Sequence, residues 1–170
     1  WTVEANPGTL SPAKIATLLE AGVNRVSLGV QSMDNAVLRA IGRRHSAEDV
    51  VSTLKLLRRA GIGNIGVDLI AGLPGVTESC WSSTLERVLS LEPDHVSVYA
   101  LSIEHGSLAH TLPAEQLKSW QPSDDLLVES LNSARKTLCA AGFNHYEISN
   151  YAKPGRESPP SSAMRRSTPR

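Results

Sequence analysis

An α/β domain, either an α/β barrel or an open α/β sheet, is what the sequence predicts, and three observations carry it. Short apolar stretches alternate with amphipathic segments of ten or more residues. The joints LLEAGVNRVSLG, LLRRAGIGNIGVD and TLCAAGFNHYEIS repeat one pattern of helix end, glycine, short turn and strand. Apolar runs such as VDLIAG suit parallel strands covered by helices, joined by right-handed crossovers.

The elements follow in order. The first residues read as a strand running into a Pro-Gly turn at Pro7 and Gly8. Ser11 is an N-cap and Pro12 takes the first helical position; Ile15, Leu18 and Leu19 share a face, and Gly22 stops the helix. RVSLGV at 25–30 is the next strand. Ser46, with Asp49 three residues on, caps a helix that runs through Val50, Leu54 and Leu57 to Gly61. NIGVDLIAG at 64–72 is a strand, and a helix opening near Thr77 turns Trp81, Leu85, Val88 and Leu89 inward. HVSVYALS at 95–102 is a further strand. The last helix opens at Ser123, with Asp124 and Asp125 near its positive end, and stops at Gly142 before the strand HYEIS at 145–149.

At 170 residues the chain has room for one domain with a real core, burying roughly 70% of its unfolded surface. Seventeen basic and seventeen acidic residues balance without a block of like charge, so neither a nucleic acid nor an acidic membrane surface is an expected partner. No apolar run reaches membrane-spanning length and no signal peptide opens the chain, which predicts a cytoplasmic setting without a transmembrane segment. Cys80 and Cys139 fall on separate helices, outside any close ligand spacing. His45, His95, His105, His110 and His145 are scattered, and no metal is assigned to them. The turn AGLPGVT offers free amides to an anion, but it matches neither a phosphate-binding Walker loop nor a dinucleotide GxGxxG.

In either α/β architecture ligands gather at the C-terminal ends of the strands. Glu4, Gln31 and Asp68 lie in or at the ends of three successive strands, and Arg43 lies on the connection after the second, so four polar groups can face one mouth. Asp68, between Val67 and Leu69, needs a hydrogen-bond partner, because burying an unsatisfied polar group costs about 1–3 kcal/mol and a charge costs more. Spacing alone leaves another arrangement open: Asp68 capping a loop, Gln31 pairing with backbone, and Arg43 as a solvated helix-end charge.

Read in order, VEANPGT, GVNRVSLGVQS, IGRRH, GVDLIAGLPGVT, HVSVYALSIEHGS and GFNHYEISNYAKPG resemble the radical S-adenosylmethionine (SAM) proteins of the heme-chaperone and oxygen-independent coproporphyrinogen III oxidase group. The match runs to about Gly155, and NPGT and GRRH look like the HemW-type chaperone branch. The resemblance implies a partial (β/α) barrel of the radical SAM type over 1–155, with N-terminal strands missing. It also implies site roles: Glu4 holding the methionine end of SAM, Arg43 pairing with its carboxylate, Gln31 and Asp68 binding the ribose region.

The family's [4Fe-4S] cluster is held by three cysteines of a CxxxCxxC segment, with which SAM yields a deoxyadenosyl radical. That segment and the family's glycine-rich strand end are expected upstream of Trp1, and this chain alone is expected to be inactive. The family's His-Asn segment is replaced at the other end by RESPPSSAMRRSTPR, so 156–170 is expected to be a disordered or frameshifted tail.

The leading functional expectation is a SAM- and cluster-dependent heme chaperone that binds heme or porphyrin and delivers heme to acceptor proteins. The alternatives are an oxygen-independent coproporphyrinogen III oxidase and an inactive truncated product, and SAM binding separates the last from the other two.

Overall fold

The computed structural model describes residues 1–103, 113, 115 and 120–158. His105, His110 and the tail from residue 159 therefore lie outside the described residues. The strands are β1 (Thr2–Ala5), β2 (Arg25–Gln31), β3 (Asn64–Ala71), β4 (His95–Ala100), β5 (Asn144–Glu147) and β6 (Asn150–Ala152). The helices are α1 (Pro12–Glu20), α2 (Asn35–Ala40), α3 (Ala47–Arg59), α4 (Glu78–Ser90) and α5 (Asp124–Ala140).

The four long helices start where their caps predict. Ser11, Ser46, Thr77 and Ser123 each accept a hydrogen bond from a first-turn amide, and Ser46 with Asp49 completes a reciprocal capping box. The sheet order is β1-β2-β3-β4-β6-β5, with β1 to β4 parallel. The end of the sheet departs from the predicted pattern. The segment around HYEIS forms two short strands, β6 antiparallel to β4 and β5 antiparallel to β6, rather than one more parallel strand. The third copy of the repeated joint thus leads into a hairpin, whose short turn lets the chain double back with no crossover. Residues 101 and 102 fall beyond the fourth strand, which ends at Ala100.

Alternation along the strands sorts the two faces of the sheet. Val26, Leu28, Ile65, Val67, Leu69, Val96 and Val98 are almost wholly buried and meet Ile15, Leu54, Leu57, Leu85 and Leu138 of the helices in one core. The opposite face carries Glu4, Ser27, Gly66 and His95 in one register row, then Gly29, Asp68 and Ser97 in the next. This polar face is the side on which a ligand can be held, because the helices occupy the other. No helix among the described residues is long and apolar enough to cross a membrane.

His95 shows how polar groups are accommodated there. It is 1% exposed, and its Nε2 lies 2.7 Å from the Tyr146 hydroxyl, which accepts the Ser158 amide at 3.1 Å. Burial, aided by the Arg25 charge, pushes the imidazole pKa down to about 4. The folded chain thus holds His95 neutral, while in the unfolded chain it takes up a proton near its ordinary 6.5. The stability this confers is complete above pH 6.5 and is lost as pH falls toward 4. The loss attributable to His95 reaches up to ~3 kcal/mol. Melting curves of the parent chain and of His95→Gln across that window are expected to converge on acidification; a constant gap would contradict the assignment.

Candidate cofactor-binding site

Glu4, Gln31, Arg43 and Asp68 line one cleft of about 460 Å3, together with Ala5, Asn6, Gly29, Ile70 and Tyr99. The size lies within the usual range for small-molecule sites. Three of the four come from the C-terminal halves of β1, β2 and β3, and Arg43 comes from the α2–α3 connection.

Each side chain has a local reason for its position. Asp68 stands beside Gly29 in register, and the Ser27 hydroxyl lies 3.1 and 3.0 Å from its two carboxylate oxygens. Burial raises its carboxyl above the usual range; the Ser97 and Ser27 hydroxyls and the Arg25 charge pull the other way, and Glu4 adds to the rise. Asp68 thus has the hydrogen-bonding partner that its sequence position demands.

Gln31 depends on an irregular backbone. The β2–β3 register shifts between Gly29 and Gln31, so Gln31 stands opposite the core-facing Leu69. Its φ of 63° is left-handed, and with that turn the side chain folds back over Gly29. The bulged carbonyl of Val30 accepts a hydrogen bond from His45 Nε2 at 3.2 Å, tying the irregularity to the α3 entry. A non-glycine residue in this conformation costs on the order of 1–3 kcal/mol, a cost found chiefly where a site needs the geometry.

Gln31 is only 6% exposed, yet its Oε1 has no hydrogen-bond partner among the described residues. A Cβ on Gly29 would lie 2.9 Å from Gln31 Nε2 and 3.3 Å from Asn6 Oδ1. The glycine therefore leaves a hollow that even a methyl group would fill. Arg43 donates from Nη1 to Asn6 Oδ1 at 3.0 Å.

The cleft thus combines a cation, two carboxylates, an orphaned amide oxygen and the side chains of Ile70 and Tyr99. This donor set fits an adenosyl sulfonium amino acid, which presents a carboxylate, an ammonium, ribose hydroxyls and a flat base. A cluster is a different matter. Cys80 and Cys139 lie on α4 and α5, and among the described residues no group of three or more His, Cys, Asp or Glu is arranged to hold a metal. Another cleft, of about 380 Å3, lies between the start of α4 and α5 and contains none of the four residues.

Asn6, Ser27 and Tyr99 were not singled out by sequence reasoning. Tyr99 sits two residues beyond Ser97 on the same strand, so alternation could have placed it on the polar face with Asp68. Asn6 carries no such signal, since it lies just past β1, where periodicity ends.

A model of the radical SAM superfamily matches residues 1–88. The chain is 40% identical to the heme chaperone HemW of Lactococcus lactis over 158 residues, which are 93% of this chain and 41% of that protein. It is also 40% identical to radical S-adenosyl methionine domain-containing protein 1, mitochondrial, of Bos taurus, covering 91% of this chain and 35% of that one. Among solved structures, coproporphyrinogen III oxidase (HemN) from Escherichia coli, a radical SAM enzyme, superposes with a TM-score of 0.75 at 26% identity. That superposition covers 91% of this chain and 35% of the oxidase. The chain therefore spans about two fifths or less of the length of these relatives, and its mixed sheet is a partial radical SAM barrel.

Proposed function

This chain belongs to the radical SAM superfamily, and from that membership we propose that it is the SAM-holding part of a HemW-like protein that binds heme or porphyrin and passes heme to acceptor proteins. The observation that carries the SAM reading is the meeting of Glu4, Gln31, Arg43 and Asp68 in one cleft whose buried Gln31 oxygen lacks a partner.

In this reading the Arg43 guanidinium binds the ligand's carboxylate in a charge-assisted pair and Glu4 orients its ammonium. Gln31 and Asp68 receive the ribose hydroxyls, while Ile70 and Tyr99 flank the base. Bound together with a [4Fe-4S] cluster, SAM supplies radical chemistry in this superfamily. The residues described here bind and orient; the cluster ligands are not among them. The heme-handling reading rests on the 40% identity to the Lactococcus lactis chaperone, and the fold likeness to the Escherichia coli oxidase supports decarboxylation of coproporphyrinogen III as the second reading. Turnover of that porphyrinogen by the whole protein would favour the oxidase, and stable heme binding without turnover the chaperone.

The test for SAM is its pH dependence. A carboxylate accepts from both ribose hydroxyls, whereas a protonated acid loses accepting capacity, so binding is expected to weaken as pH falls through the raised pKa of Asp68. Asp68→Asn is expected to bind more weakly above that pH and to show no corresponding inflection. Calorimetric titrations across the acid range check this, and parent-like SAM affinity of Asp68→Asn above that pH would remove Asp68 from the ligand.

A further inference from the structure

We infer that Asn6 is a positioning residue that holds the Arg43 guanidinium over the cleft, a role that rests on the SAM reading above. Asn6 lines the cleft immediately beyond β1, and its Oδ1 accepts from Arg43 Nη1 at 3.0 Å although the two are 37 positions apart in sequence. Arg43 forms no ion pair among the described residues. Among the described residues the guanidinium is therefore held by one neutral acceptor.

The chemistry of that acceptor matters. A carboxylate at position 6 would also hold the guanidinium, but it would cancel the charge and occupy donors needed by a ligand carboxylate. An amide oxygen orients the planar fork and leaves both its charge and its remaining N–H groups available. Gly29 completes the arrangement: the same hollow that admits Gln31 Nε2 admits Asn6 Oδ1, since a Cβ there would lie 2.9 Å from the first and 3.3 Å from the second. The local turn does not depend on the amide, because the Asn6 main-chain carbonyl accepts from the Thr9 amide at 3.2 Å and the Thr9 hydroxyl at 2.7 Å. Side-chain replacement therefore leaves the backbone bonds in place.

The experiment compares two probes, SAM and 5′-methylthioadenosine, which keeps the nucleoside but lacks the amino-acid carboxylate. Their affinities are measured by calorimetry for the full chain and for Asn6→Ala, Asn6→Asp, Arg43→Ala and the Asn6→Ala/Arg43→Ala double variant. Asn6→Ala is expected to weaken SAM about five- to tenfold and to leave methylthioadenosine within about twofold of the parent. Asn6→Asp is expected to weaken SAM further. In the Arg43→Ala background, loss of the amide is expected to add nothing.

Parent-like SAM binding by Asn6→Ala, equal losses for both probes, or an undiminished effect in the Arg43→Ala background would each overturn the inference. A parent chain that binds SAM while Asn6→Ala matches it rejects only the positioning role. A parent chain that binds neither probe rejects the SAM reading and this role with it.

Discussion

Arg43→Ala is expected to weaken SAM binding about a hundredfold, equivalent to ~3 kcal/mol, while methylthioadenosine binding stays near the parental value. The size follows from what is removed. Arg43 is the cation among the residues lining the cleft, and its guanidinium offers a planar pair of donors matched to a carboxylate. Without it the ligand carboxylate would enter a cleft whose remaining charged lining residues are the carboxylates Glu4 and Asp68. The fold should tolerate the change, because the tight turn at Gly42, with φ at 73°, and the Arg43 amide bond to the Leu38 carbonyl at 2.9 Å belong to the backbone. Calorimetry with both ligands checks the prediction. Equal losses on the two would mean that Arg43 supports the cleft as a whole rather than the carboxylate.

Leu57→Ala is expected to destabilise the folded chain by about 2–5 kcal/mol, a large share of the ~5–15 kcal/mol that domains of this kind possess. Leu57 is wholly buried at the end of α3, in the core formed with Leu54 and the apolar side of the sheet. Truncation removes both its transfer energy and its packing contacts, and the surrounding strands are too constrained to collapse into the space. Leu19, at 38% exposed on α1, serves as the control, with an expected change within about 0.5 kcal/mol. Urea unfolding followed by circular dichroism measures both. A loss at Leu57 no larger than at Leu19 would contradict the packing described here.

Much of this was readable from residues in sequence, and the misses have physical causes. Ser11, Ser46, Thr77 and Ser123 announce their helices because capping is local chemistry, settled within four residues. The six-residue α2, with Asp34 accepting from the Ala36 and Val37 amides, is too short to display a period in sequence. The sequence marks HYEIS as strand-like without marking the hairpin that the segment enters. Periodicity reports which residues are strand-like, but the direction of pairing is fixed by distant partners such as Val96 and Tyr151.

The site divides in the same way. Glu4, Gln31 and Asp68 were visible as polar residues at strand ends, with Arg43 added by its place on the connection, and the structure brings them into one cleft. That Gln31 reaches it through a left-handed residue at a bulge, that Ser27 supports Asp68, and that Asn6 meets Arg43 over Gly29 all depend on register. Register is a long-range property that no local window encodes.

The most direct test of the central claim is a two-dimensional amide spectrum of the isotopically labelled chain, recorded during titration with SAM. Saturable shifts are expected at residues 4–6, 29–31, 43 and 68, with the cleft between α4 and α5 around Trp81 and Leu126 unchanged. Shifts centred on that other cleft, or no saturable shift at the four strand-end positions, would contradict the assignment of this pocket to SAM.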